Sequence, residues 1–173
     1  MAPIDARENM VSETMEGGCG CGAARYRVDR GPIFVNNCHC RQCQRQTGST
    51  SVVNMFVESE AVTLLSGTVS ESRFVAGSGG AHRVVRCADC GTALWSMYPR
   101  LGELGLGIRV GTLDDPGAVT PDAAIFLDDK MPWVTPPVDI PGFGRTYVAA
   151  ELLPPERMER LTDLIRRRKA EIA

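Results

Sequence analysis

The sequence lacks several things at once. No run of about 18 apolar residues occurs anywhere in its 173 residues, so no transmembrane helix is expected. Met1 to Glu16 mixes Asp5, Arg7, Glu8, Glu13 and Glu16 with few apolar residues, without the apolar core of a secretory signal. An excess of positive charge is also missing. Lys+Arg 19 against Asp+Glu 21 leaves −2 at pH 7, with no global field to hold nucleic acid or an anionic membrane, and neither partner is expected. Histidine is scarce, with 2 residues against 7 cysteines. Seven is odd, whereas a secreted disulfide framework favours an even count. These absences place the chain in a reducing cytoplasm, where clustered cysteines more often bind metal than pair.

What is present suits a globular core: 43% of residues are hydrophobic and 23% charged, in a length that fits one domain. Residues 1 to 16 read as a flexible leader. Gly17 to Gly22 is a turn too glycine-rich for regular structure. Short strand signals then recur: Ala24 to Val28, Ile33 to Val35, Ser51 to Val57, Val62 to Leu65, Val69 to Val75, His82 to Arg86, Ala93 to Met97 and Leu104 to Val110. Their number and spacing predict a mainly β fold. Residues 41 to 46 predict one helical turn stopped near Gly48. A longer helix starts at Pro155, with Met158, Leu161, Leu164, Ile165 and Ile172 as its apolar stripe. The basic run Arg166 to Lys169 reads as a solvated helix end.

The cysteines fall into Cys19-x-Cys21, Cys38-x-Cys40-x2-Cys43 and Cys87-x2-Cys90. The two outer pairs, flanked by glycine, sum to four thiolates, the ligand set of a closed structural zinc. The triplet predicts an open site, whose fourth position is left for water or a substrate thiolate. Three alternatives compete for it. His39 or His82 could close the site, an iron–sulfur cluster could occupy it, or Cys40 and Cys43 could be a redox pair. Either histidine could instead donate a hydrogen bond to a cysteine sulfur or a carbonyl.

The whole set resembles the glutathione-dependent formaldehyde-activating enzyme family, which includes centromere protein V. The matching pieces are Gly18-Cys19-Gly20-Cys21, Cys38-His39-Cys40-x2-Cys43-x3-Thr47-Gly48-Ser49, Cys87-x2-Cys90-Gly91, Gly111 to Pro116, and Lys130-x-Pro132-Trp133. The resemblance implies a β-tent fold of antiparallel sheets over residues 17 to 145, with residues 146 to 173 a helical extension. It implies two Zn2+ per chain, a structural one on Cys19, Cys21, Cys87 and Cys90 and a catalytic one on Cys38, Cys40 and Cys43. The implied activity is that of a carbon–sulfur lyase, joining formaldehyde to glutathione or running that reaction backwards. Three positions depart from the family pattern: Ala124 replaces a histidine, Gln44 an arginine with Arg45 following, and Arg86 a phenylalanine.

An open three-thiolate zinc carries net negative charge, so it suits binding a thiol better than activating water. The expected reaction joins a small thiol to a small carbonyl compound. Arg45 could pair with a carboxylate of the thiol, and Thr47 and Gly48 could add hydrogen bonds. Trp133 is a pocket wall or, by preference, a core anchor. A non-catalytic zinc module that binds a protein or handles metal is the competing reading. The apolar stripe of the last helix could serve self-association, or be buried on its own domain.

Overall fold

Glycine-punctuated, valine-rich segments pair into two sheets. The computed structural model describes residues 14–76 and 80–172. Its strands are β1 (Met15–Gly18), β2 (Arg25–Val28), β3 (Phe34–Cys38), β4 (Val52–Glu58), β5 (Val62–Ser66), β6 (Val69–Ala76), β7 (Gly80–Cys87), β8 (Ala93–Met97), β9 (Gly105–Arg109) and β10 (Ala123–Ile125). Three helices accompany them: α1 (Arg41–Thr47), α2 (Ala149–Leu152) and α3 (Pro155–Glu171). The small sheet runs β1-β2-β5 and the large one β10-β3-β4-β9-β8-β7-β6. The fold is mainly β with a C-terminal helix, as the strand spacing predicts. Pairing is antiparallel except at β10, which lies parallel to β3. Among the described residues, no helix is long and apolar enough to cross a membrane.

Two expectations change at the N-terminal end. Of the supposed leader, residues 1–13 lie outside the described residues, while Met15 and Glu16 already belong to β1. Gly17 and Gly18 also sit in that strand rather than in a turn. The reason at Gly17 is space. A Cβ there would stand 2.4 Å from the Thr112 carbonyl oxygen and 2.5 Å from the Tyr26 hydroxyl. Glycine is what lets this strand lie against the core.

Period-two alternation divides the large sheet into two faces. Val35, Met55, Val57, Val85, Trp95 and Ile108 meet Tyr26 and Val28 of the small sheet in the main core. The opposite face is split along its length. At one end Phe34 stacks on Phe56 with centroids 4.2 Å apart. There Phe56 and Ile33 share a second core with Leu153, Leu161 and Leu164. At the other end the same face carries Cys38, Asn54, Ser96 and Arg109, and α1 covers it.

The α3 stripe is therefore spent on its own chain. Arg160 grips Glu58 of β4 with both carboxylate oxygens, at 2.8 and 2.6 Å. Arg157 does the same to Asp122, at 2.9 and 2.5 Å. Ile172, expected in the stripe, falls after the helix and is exposed. Since Leu164 is 1% exposed, Leu164→Ala is expected to lower the unfolding free energy by about 2–5 kcal/mol in denaturant titration.

Candidate functional site

Two knuckles of similar build bring four cysteines together. In the first, the Gly22 amide donates to the Cys19 carbonyl at 3.1 Å, and in the second the Gly91 amide donates to the Cys87 carbonyl at 3.0 Å. Gly22 and Gly91 have φ of 79° and 73°, a left-handed turn that side chains resist. The Gly20 amide donates to Thr92 Oγ1 at 3.2 Å and ties one knuckle to the other. The sulfurs of Cys19, Cys21, Cys87 and Cys90 lie within 4.8 Å of one another. Backbone and side-chain groups aim at them: the Ala24 amide donates to Cys19 Sγ at 3.2 Å, and Thr92 Oγ1 sits 3.1 Å from Cys90 Sγ. The Thr92 contact leads in lowering Cys90 to a pKa of about 6.

The second group is built at the end of β3. Cys38 closes that strand, Cys40 is the N-cap of α1, and Cys43 lies in its first turn. The Cys43 amide donates to Cys40 Sγ at 3.4 Å, so a ligand candidate also caps the helix. Gly48 ends α1 with φ 63°, where the turn was expected to stop. The three sulfurs lie within 4.8 Å of one another, and neither histidine joins the group. Cys38 and Cys43 are buried and Cys40 is half-buried.

Such crowding divides the charge unevenly. Hydrogen bonding with Cys40 and Cys43, then burial, pushes the Cys38 thiol well up. Cys40 goes down to about 2, because Cys38 and Cys43 both stabilise its thiolate. Cys43 is drawn down by Cys38 but pushed further up by Cys40 and burial, to about 12. Three thiolates cannot share this space without a cation between them, and soft thiolates fit a zinc-like ion. Both groups could hold a metal.

A buried polar chain adjoins the triplet. Arg109, 4% exposed, donates to Asn54 Oδ1, to Ser96 Oγ at 2.8 Å and to Gln46 Oε1 at 2.6 Å. Gln46 Nε2 lies 3.3 Å from His82 Nδ1. Arginine can only donate, so the Gln46 oxygen must face it and the Gln46 amide must donate to His82. His82 Nδ1 is then the acceptor, and the ring proton sits on Nε2. Burial first, and the Arg109 charge second, pull His82 down to about 4, which keeps it neutral. Tyr98 stacks on the ring with centroids 4.2 Å apart. His82 thus bonds to an amide rather than to a sulfur or carbonyl. His39 is 1% exposed, and neither of its ring nitrogens has a hydrogen-bond partner among the described residues.

A groove of about 690 Å³ opens beside the second knuckle and the C-terminal end of α1; Cys90 lines it, and none of the triplet cysteines does. Gln46, Thr47, Arg86, Cys90, Thr92 and Arg109 are among the residues that line it. Its volume is that of a small-molecule site. Thr47 reaches this groove while its hydroxyl donates to the Cys43 carbonyl at 2.9 Å. Gly48 caps the helix beside it. Arg45 is an exposed cation on the last turn of α1. Trp133 is 72% exposed, so it anchors no core, because the Pro132, Pro136 and Pro137 segment runs along the surface in turns. Gln44, at the departure from the arginine pattern, is 3% exposed and donates to the His39 and Asp129 carbonyls at 2.6 and 3.0 Å. Arg86, at the departure from phenylalanine, donates to the Gly91 carbonyl at 3.0 Å and braces the second knuckle. Sequence reasoning missed Gln46 and Arg109. The one signal was a lone arginine in the apolar run Leu104 to Val110.

The family signature described as glutathione-dependent formaldehyde-activating enzyme matches residues 14–129. The chain belongs to that family. The match spans both cysteine groups and the groove, and ends before Lys130-x-Pro132-Trp133 and α3. A Halomonas elongata protein named for the same family is 27% identical over 125 residues, 69% of this chain and 79% of that one. A solved structure of a Rhodobacter sphaeroides protein is 21% identical, covers 62% of this chain and 92% of its own, and aligns with a TM-score of 0.47. Membership in the formaldehyde-activating family supports enzyme activity of that general kind.

Proposed function

We propose that this family member is a zinc-dependent carbon–sulfur lyase. It joins a small thiol such as glutathione to formaldehyde, or to another small aldehyde, and also catalyses the reverse. In the forward direction the thiol sulfur bonds to the carbonyl carbon and the thiol proton ends on the carbonyl oxygen. The observation that carries the reading is the division of seven cysteines into a group of four and a group of three, the sulfurs of each within 4.8 Å of one another. Cys19, Cys21, Cys87 and Cys90 hold the structural zinc, and Cys38, Cys40 and Cys43 hold the second. Zinc on three thiolates supplies an open position that deprotonates and holds an incoming thiol.

The chain's own residues do the rest. The groove receives the body of the thiol compound. Thr47 lines it, and its bond to the Cys43 carbonyl keeps the α1 turn in place. Arg86 supplies positive charge at the groove for a carboxylate of the thiol, a role first expected of Arg45. Residues 17–145 form the catalytic unit, and the place of work is the cytoplasm.

The test has two readouts. Purified protein should contain about two zinc ions per chain. Exchange NMR of glutathione with formaldehyde should show adduct formation faster than the spontaneous reaction. A rate equal to the spontaneous one would favour a non-catalytic zinc module instead.

A further inference from the structure

Only two charged side chains, Glu58 and Arg109, are buried among the described residues. Glu58 is matched by Arg160 at 2.6 Å and Arg30 at 3.2 Å. Arg109 has no carboxylate within ion-pair distance among the described residues. Its hydrogen bonds go to the neutral Asn54, Ser96 and Gln46, and its Nε has no partner among the described residues. A buried cation left in this state costs several kcal/mol, so its counter-charge must be sought nearby.

The topology supplies one. Arg109 pairs with Asn54 in register, and Val52, two residues along the same face of β4, pairs with Cys38. Gln46, which Arg109 holds at 2.6 Å, lies three residues after Cys43 on α1. The guanidinium therefore sits on the same sheet face as Cys38 and under the same helix as Cys43. Three thiolates around a divalent ion leave one net negative charge, and one arginine cancels it.

We infer that Arg109 is the counter-ion of the three-cysteine centre, a positioning residue that lets a buried face carry a negatively charged zinc complex. The inference rests on the second zinc proposed above. In this arrangement Asn54, Ser96 and Gln46 are neutral by necessity, since a carboxylate among them would take the charge that the thiolates need.

The test neutralises the cation in place. Asn54→Asp keeps the shape and the acceptor, and hands Arg109 a carboxylate. A purely structural Arg109 would be held more firmly by that change, and zinc affinity would stay put. As a counter-ion it should be lost to the centre. Zinc affinity measured by chelator competition should fall by about 10- to 100-fold at the second site only. The four-cysteine site, read in the same titration, reports that the fold persists. Arg109→Gln should give the same selective loss, and Arg109→Lys should restore most of it. Second-site affinity in Asn54→Asp within about twofold of wild type would overturn the assignment, whether or not Arg109→Gln folds. A wild-type chain that binds a single zinc, retained in Cys43→Ser, would overturn the zinc reading and this one together.

Discussion

Cys43→Ser is expected to leave one zinc per chain and to bring thiol–formaldehyde adduct formation down to the spontaneous rate. The substitution removes one of three sulfurs that lie within 4.8 Å of one another and leaves two, too few to hold zinc with a free position beside them. It is also mild sterically. Cys43 is 3% exposed in the first turn of α1, and its amide, not its sulfur, makes the capping bond to Cys40. Helix α1 should persist, and the four-cysteine knuckles are untouched. The melting temperature should therefore change far less than the activity. Metal analysis and the exchange NMR assay check both parts. Two zincs retained, with turnover intact, would remove the triplet from the chemistry. Cys40→Ser makes a useful companion, because serine is itself a good N-cap and spares the helix while losing the ligand.

The cysteine groups were legible because metal ligation imposes a short-range grammar: two or three thiols close in sequence, with glycine where the chain must turn left-handed. The helix ends were legible for a similar reason, at Gly48 and Pro155, where a single residue decides the local backbone. Valine-rich strands such as Val52–Glu58 declared themselves by residue type. What stayed hidden depends on contacts between distant segments. Gly17 reads as a turn residue until Thr112 and Tyr26 are seen pressed against it. β10 is three residues long, too short for a periodic signal, and it exists because β3 offers it an edge. Arg109 reads as the end of an apolar strand, and only the register with Asn54 carries it under the triplet. Trp133 misled in the opposite direction. A large aromatic is usually buried, but proline-rich surroundings held this one on the surface.

Cys87→Ser is expected to cost more than any substitution in the two cores. Cys87 is 1% exposed, belongs to the main core cluster, and ends β7. Its partners Cys19 and Cys21 lie far back along the chain, between β1 and β2. A zinc shared by these pairs closes the loop from β1 to β7 and fastens the small sheet to the large one. Among the described residues no strand of the small sheet pairs with one of the large sheet; besides the main core, this knot joins them together with the Gly17–Leu113 bridge and the Arg25–Asp114 ion pair. Structural zinc sites in small peptides are worth roughly 10–16 kcal/mol in apparent binding energy, comparable with the whole stability of a domain, about 5–15 kcal/mol. Losing one ligand forfeits much of that and leaves a hydroxyl buried in apolar surroundings. The variant should therefore unfold at a much lower denaturant concentration than Leu164→Ala, or fail to accumulate as folded protein. A strong chelator should reproduce the effect on the wild-type chain, and added zinc should reverse it there but not in the variant. An unchanged unfolding midpoint in Cys87→Ser would mean that the core and the polar contacts of β1 and β2 hold the two sheets together and that the four thiols are not a structural metal site.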